Sequence, residues 1–381
     1  MYAPPVDHDL SGEGNRGGRR RGAAARSLVA LLGCVCFSAC DRPPAAAAPS
    51  PPPPEPAAHF CDAAGEPIAA YEAAVPYLTA YFGGAVPGTI TVNYASGPGD
   101  YFDSRRNGIT ISMAETHGPR ELGLVAHEAS HLALAAFSGG VSTLEPFRFM
   151  DEGLAAIIEH TVGGTLPKYR HAALVVAARR LSTGSVSLAD LQAWSRYFGD
   201  PIGHPERAAD YDAYEVGSAF DFFVQDTHGE GALRSLFADL ARTRSLASSV
   251  RTVFGHTLDE TEAAWVAYLR AVDVSVASRP PAVVEMVPAN GAAGVATDLA
   301  EVRVTFDTDM TPFICVNTPC NEGICYDHAV WRDLRTLAIK IDRPLMPDHP
   351  YSLSLGSPPR CMLKSEDRVE LPVVKWEFRT R

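Results

Sequence analysis

The stretch GPRELGLVAHEASHLALAAF, residues 118–137, decides how this chain is read. Leu122, Val125, Ala129, Leu132 and Ala136 recur at helical spacing, and Pro119 suits a first turn, where its missing N–H costs nothing. Inside it, His127-Glu128-Ala129-Ser130-His131 is an H-E-x-x-H motif. Residues four apart share a helix face, so His127 and His131 can grip one metal ion. Imidazole suits zinc, and two imidazoles plus one carboxylate leave a fourth position for water. Glu128 lies beside that face, where its carboxylate can take a proton from the water. A helix with two incidental histidines would need no metal, so the discriminating question is the third ligand.

A second acidic signal follows in FMDEGLAAIIEH, residues 149–160. Glu152 stands far enough beyond His131 for one helix to end, a loop to turn and a second helix to begin, so it can point back at the histidines. Asp151 and Glu159 are rival ligands; Asp151 would point elsewhere on the helix, and Glu159 lies two turns further along. An acidic helix start is also favoured by the macrodipole without any metal.

HEASH followed by DEGLAA resembles the gluzincin metallopeptidases of the thermolysin and aminopeptidase N type, and more closely the compact bacterial peptidase MA-like domains. The resemblance implies zinc held by His127, His131 and Glu152, and a zinc-bound water activated by Glu128 to hydrolyse a peptide or protein substrate. The segment DYDAYEVGSAFDFFV, residues 210–224, is similar to the Tyr-Glu-x-Gly segment of that family. It implies that Tyr214 donates its hydroxyl to the developing oxyanion. Tyr211 is the alternative, and a core aromatic stripe with Phe220 and Phe223 is the reading without function.

The flanking segments give the expected architecture. Residues 67–84 read as an amphipathic helix, and residues 88–96 and 107–115 as strands by alternation and β-branched content. Strand 108–114 is a candidate sheet edge to which a peptide could add. Residues 254–272 resemble the closing helix of these domains, with Thr257 and Glu260 spaced as a capping box. The expectation is an α+β zincin-like catalytic domain at 59–275, mainly helical with a small N-terminal sheet.

Residues 1–40 read as a lipoprotein-type signal peptide. Arg19, Arg20, Arg21 and Arg26 precede the apolar stretch SLVALLGCVCFSA, which is too short to span a bilayer. Phe37-Ser38-Ala39-Cys40 resembles a bacterial lipobox, which implies lipidation of Cys40 and a protein anchored to the membrane at the cell envelope; cleavage without lipid would give a secreted one. Residues 41–58 hold eight prolines and six alanines. Such a tether extends roughly 50 Å at about 3.1 Å per residue.

Beyond Ala271 the chain changes character. VVEMVP, EVRVTF, RTLAIKI, YSLSL and VVKWEFRT read as strands with Pro/Gly punctuation, the spacing of a β-sandwich. Residues 281–381 resemble the bacterial Ig-like domains that follow surface and secreted enzymes, where they serve as spacers or adhesion modules. Cys315, Cys320, Cys325 and Cys361 suit an oxidising compartment and allow three pairings; Cys61 is left over. A zinc ribbon would want tight C-x-x-C pairs, which are absent.

The formal net charge of −12, with no basic stripe after the leader, argues against a nucleic-acid partner. His117, His160 and His171 read as surface residues rather than ligands. Two functions of different class are consistent with the chain. One is a zinc metallopeptidase. The other is a non-catalytic cell-surface binding or adhesion protein that uses the zincin domain as a scaffold.

Overall fold

The computed structural model describes residues 59–95, 101–103, 106–112, 120–184, 186–195, 212–274, 279–311, 313–357 and 361–381. The leader with Cys40, the Pro/Ala tether, His117, Pro119 and Tyr211 lie outside the described residues. Among the described residues no helix is long and apolar enough to cross a membrane.

The N-terminal part is mainly helical with one small sheet. Strands β1 (Phe60–Cys61), β2 (Ile90–Ala95), β3 (Tyr101–Asp103) and β4 (Gly108–Ser112) form that sheet in the order β1-β2-β4-β3. β4 is parallel to β2 and antiparallel to β3. The strand at 108–112 is therefore interior, not the expected edge; the edge on its side of the sheet is the three-residue β3, too short to announce itself by alternation. The expected helix at 67–84 divides into a 3₁₀ segment, Ala69–Ala74, and α1 (Val75–Phe82), with Pro76 in the first turn of α1.

Helix α2 (Glu121–Ser138) carries HEASH. At positions 123–135 every residue is buried except His127, while Ala136 is exposed. The expected one-sided stripe is thus replaced by a helix enclosed nearly all round, as a central core helix must be. It begins at Glu121, so Pro119 precedes the cap residue Arg120. Around it stand α3 (Arg148–Val162), α4 (Leu166–Ser182), α5 (Leu188–Gln192), α6 (Asp212–His228), α7 (Ala232–Thr243), α8 (Leu246–Phe254) and α9 (Leu258–Arg270). Thr257 and Glu260 form the expected capping box at the start of α9. Ile90, Val92, Ile109 and Ile111 of the sheet share one core with Val125, Ala129 and Leu132 of α2.

The crossing of α3 and α6 is unusually close. A Cβ on Gly153 would sit 2.6 Å from the Gly217 carbonyl carbon and 2.7 Å from the Ser218 nitrogen. A Cβ on Gly217 would strike the Phe149 carbonyl oxygen. Two glycines therefore let the backbones touch. Ser218 Oγ donates to the Gly153 carbonyl at 3.0 Å, and the Tyr169 hydroxyl lies 2.7 Å from Ser218 Oγ.

The C-terminal part is β-rich. One four-stranded sheet has the order β5-β7-β10-β9, from Val283–Val287, Glu301–Phe306, Thr336–Ile341 and Ile324–Trp331. The other has the order β6-β12-β11-β8, from Ala292–Val295, Val374–Thr380, Pro350–Leu355 and Val316–Asn317. Strict alternation buries Val302, Val304 and Phe306 of β7, and Trp376 and Phe378 of β12, in one core. The five strands read from the sequence are present. β6 and β8 are too short to read, and β9 buries residues at both ends without alternation. Cys315 is bonded to Cys361 and Cys320 to Cys325, which chooses among the three pairings; Cys61 is a free thiol.

Candidate metal centre

Helices α2 and α3 pack so that the HEASH face looks at the first turns of α3. Glu152 Oε2 lies 3.6 Å from His127 Nε2 and 3.3 Å from His131 Nε2. One Glu152 oxygen thus lies near the Nε2 atoms of both histidines. His127, Glu128 and His131 each bring one ligand-type atom to within 4.8 Å of the others, a group that does not include Glu152. His131 and Glu152 are buried, and the His127 side chain is 13% exposed, the most open of the three.

The outer atom of each group is tied down. Asp151 Oδ1 lies 2.7 Å from His131 Nδ1, and Glu159 Oε2 lies 3.0 Å from His127 Nδ1. Arg148, one turn before Glu152, donates to Glu152 Oε1 from Nε at 3.0 Å and lies 2.9 Å away through its second nitrogen. Each imidazole therefore turns Nε2 inward, and Glu152 turns Oε2 inward. This is the outer-shell arrangement that orients metal-ligating histidines. Asp151 and Glu159, the rival ligands, meet the rings from behind. Arg148 was missed in the sequence, although its i,i+4 spacing to Glu152 is a readable signal.

The electrostatics favour a cation. Burial opposes a charged His127 ring, but Glu152 and Glu159 outweigh it and hold its pKa well above the usual histidine range. For His131, burial is likewise outweighed by Asp151 and Glu152, which raise the pKa to about 9. Burial alone would raise the Glu152 carboxyl; His131 and Arg148 instead hold it well below the usual carboxylate range. Glu159 is depressed to about 2 against its burial, first by His127. Two imidazoles ringed by four carboxylates are thus poised for positive charge, and a divalent ion would meet that demand.

Other residues complete the neighbourhood. Phe102 of the edge strand β3 stacks on His131 with ring centroids 4.7 Å apart. Tyr214, in the first turn of α6, lies with its ring 6.4 Å from His127 and 5.6 Å from Trp194. Phe220 and Phe223 are buried in the core, and Tyr214 is partly buried and packs against that same core. His171 is exposed, but His160 is not the surface residue the sequence suggested. It is buried, 2.7 Å from Thr165 Oγ1 through Nδ1 and stacked at 3.9 Å on Tyr169.

No curated protein matches the sequence. Among solved structures, the chain is similar at 12% identity and a TM-score of 0.17 to surface layer protein SbsC, domains 1–6, with 66% of this chain and 33% of that one covered. The N-terminal part of the bacterial S-layer protein SbsC aligns with the same identity and TM-score over 68% of this chain and 71% of that one. The chain thus spans about a third of the first of these structures, and scores so low carry no argument about its fold. The family match is local: residues 277–380 match the model of the bacterial Ig-like domain, four residues ahead of the boundary read from the sequence.

Proposed function

We propose that the chain is a zinc-dependent peptidase of gluzincin type, with His127, His131 and Glu152 as ligands and a bacterial Ig-like domain behind it. The observation that supports the reading is that Glu152 Oε2 lies near the Nε2 atoms of both His127 and His131, with each of the three groups backed by a charged partner. Two nitrogens and one carboxylate oxygen are a donor set suited to catalytic zinc, which leaves a fourth position open. When bound, zinc supplies Lewis-acid polarisation of the scissile carbonyl and acidifies a water.

The residues of the chain would do the rest. Glu128 accepts the proton of the attacking water and passes it to the leaving amine. Tyr214 donates its hydroxyl to the oxygen that gains negative charge. An extended peptide adds to β3, the sheet edge beside His131, rather than to the interior strand at 108–112. The chain would work at the cell envelope, anchored through lipid on Cys40 or secreted.

Glu128→Gln is the deciding variant, because it preserves side-chain size and all three proposed ligands. It should hold zinc and fold as wild type does, yet lose about a hundredfold to ten-thousandfold in peptide hydrolysis. Equal hydrolysis by wild type and Glu128→Gln would sink the mechanism. Zinc binding by both, with no cleavage of any member of a broad peptide library, would favour a non-catalytic surface binding protein.

A further inference from the structure

The turn at 364–368 of the Ig-like sandwich, KSEDR, is pressed into the helical part around the candidate centre. Lys364 Nζ is ion-paired with Asp212, the first residue of α6. Glu366, buried, pairs with Arg120, the cap of the HEASH helix, which also donates to the Met310 carbonyl of the sandwich. Asp367 lies 3.8 Å from Lys168 of α4. Arg368 Nε is 2.6 Å from Glu215 Oε1, with side chains only 13% and 6% exposed, and its guanidinium lies 5.3 Å over the Tyr169 ring.

Two features separate this from casual domain contact. Contacts between loosely associated domains are expected to be solvated, and a charge buried across such a contact is costly unless paired. Here a buried arginine from one part meets a buried glutamate of the other. The turn also holds Arg368 at a φ of 59°, which non-glycine residues seldom adopt. That conformation is locked by hydrogen bonds from the Arg368 N–H to the Ser365 carbonyl at 2.8 Å and from the Ser365 N–H to the Val369 carbonyl at 2.9 Å. The residues gripped, Asp212 and Glu215, flank Tyr214 on the first turn of α6.

We propose that the 364–368 turn of the Ig-like domain is a built-in part of the catalytic site, with Arg368 the positioning residue that fixes the start of α6 and so the hydroxyl of Tyr214. This rests on reading the centre as a peptidase site. It changes the role of the sandwich from spacer to structural partner in the reaction. Neutralising Arg368 takes the nearest counter-charge from the buried Glu215 and loosens the first turn of α6, which Lys364 still ties at Asp212. The zinc ligands lie on α2 and α3, so they keep their places.

The test uses the full-length protein with Arg368→Met and Arg368→Lys, each made also on a Tyr214→Phe background. Arg368→Met should lower kcat about tenfold or more, with KM changed little and zinc content kept. On the Tyr214→Phe background the same change should cost less than about twofold, since coupled residues are not additive. Arg368→Lys should recover part of the loss. Independently of turnover, amide hydrogen exchange at 212–217 should quicken about tenfold in Arg368→Met. If Arg368→Met does not fold, Arg368→Met with Glu215→Gln, which leaves no unpaired buried charge, is read in the same way. A folded variant with wild-type kcat, full additivity with Tyr214→Phe, or unchanged exchange at 212–217 would overturn the assignment. A wild-type protein that cleaves no peptide overturns the peptidase reading itself and takes this assignment with it.

Discussion

Gly153 and Gly217 face each other where α3 crosses α6, with a Cβ on Gly217 only 3.6 Å from the Gly153 Cα. Each glycine sits beside a residue of the candidate centre: Gly153 follows Glu152, and Gly217 stands three positions after Tyr214. Their missing side chains bring the carboxylate helix and the tyrosine helix together.

Gly217→Ala separates two opposing effects. Helix propensity favours alanine by about 1 kcal/mol in an open helix. Overpacking against the Phe149 carbonyl costs about 1–3 kcal/mol, more if backbone must move. The overlap is with backbone, so overpacking should win. The variant should lose roughly 3–10 °C in Tm by thermal unfolding. A rise in Tm would mean that the helices do not touch here.

Asp151→Ala and Glu159→Ala each remove the group behind one imidazole while leaving all three proposed ligands in place. Zinc Kd should rise about tenfold to a hundredfold for each, as measured by competition with a chromogenic chelator. Unchanged affinity in Asp151→Ala would deny it the orienting role.

His160 predicts a pH dependence of stability. Burial, above all, lowers its pKa to about 4, against about 6.5 in the unfolded chain. Between those values the unfolded chain binds a proton that the folded one refuses, so stability is lost as pH falls through that window. Between pH 7 and pH 4.5, wild type should lose about 2–3 kcal/mol more than His160→Phe in denaturant titrations. Parallel losses in the two proteins would remove His160 from the account.

The two disulfides should differ in weight. Cys315–Cys361 closes a loop of 46 residues and Cys320–Cys325 one of 5. Chain entropy assigns about 4 kcal/mol to the first and about 2 kcal/mol to the second. Cys315→Ala/Cys361→Ala should therefore lower the unfolding midpoint of the sandwich more than Cys320→Ala/Cys325→Ala. The reverse order would show that native strain or residual unfolded structure outweighs loop length.

Local patterns carried much of the architecture. The capping box at Thr257 and Glu260, the alternating strands β7, β11 and β12, and the helical character of 121–138 and 148–162 all follow from neighbours within a few residues. The three-residue edge strand β3 and the irregularly buried β9 did not show themselves, because neither spans enough residues of one period to be read.

The candidate centre divides along the same line. That His127 and His131 share a helix face beside Glu128 is legible from their spacing, because an interval of four is a property of the helix alone. The rest depends on how the helices and the two cores pack. Asp151, Glu152 and Glu159 stand on one helix with similar chemistry, and which oxygen faces the histidines depends on how α3 crosses α2. Arg368 reaches Glu215 from another domain across more than a hundred residues of sequence. No periodicity encodes such a contact; it exists only because two independently patterned cores come to rest against each other, with their buried charges matched.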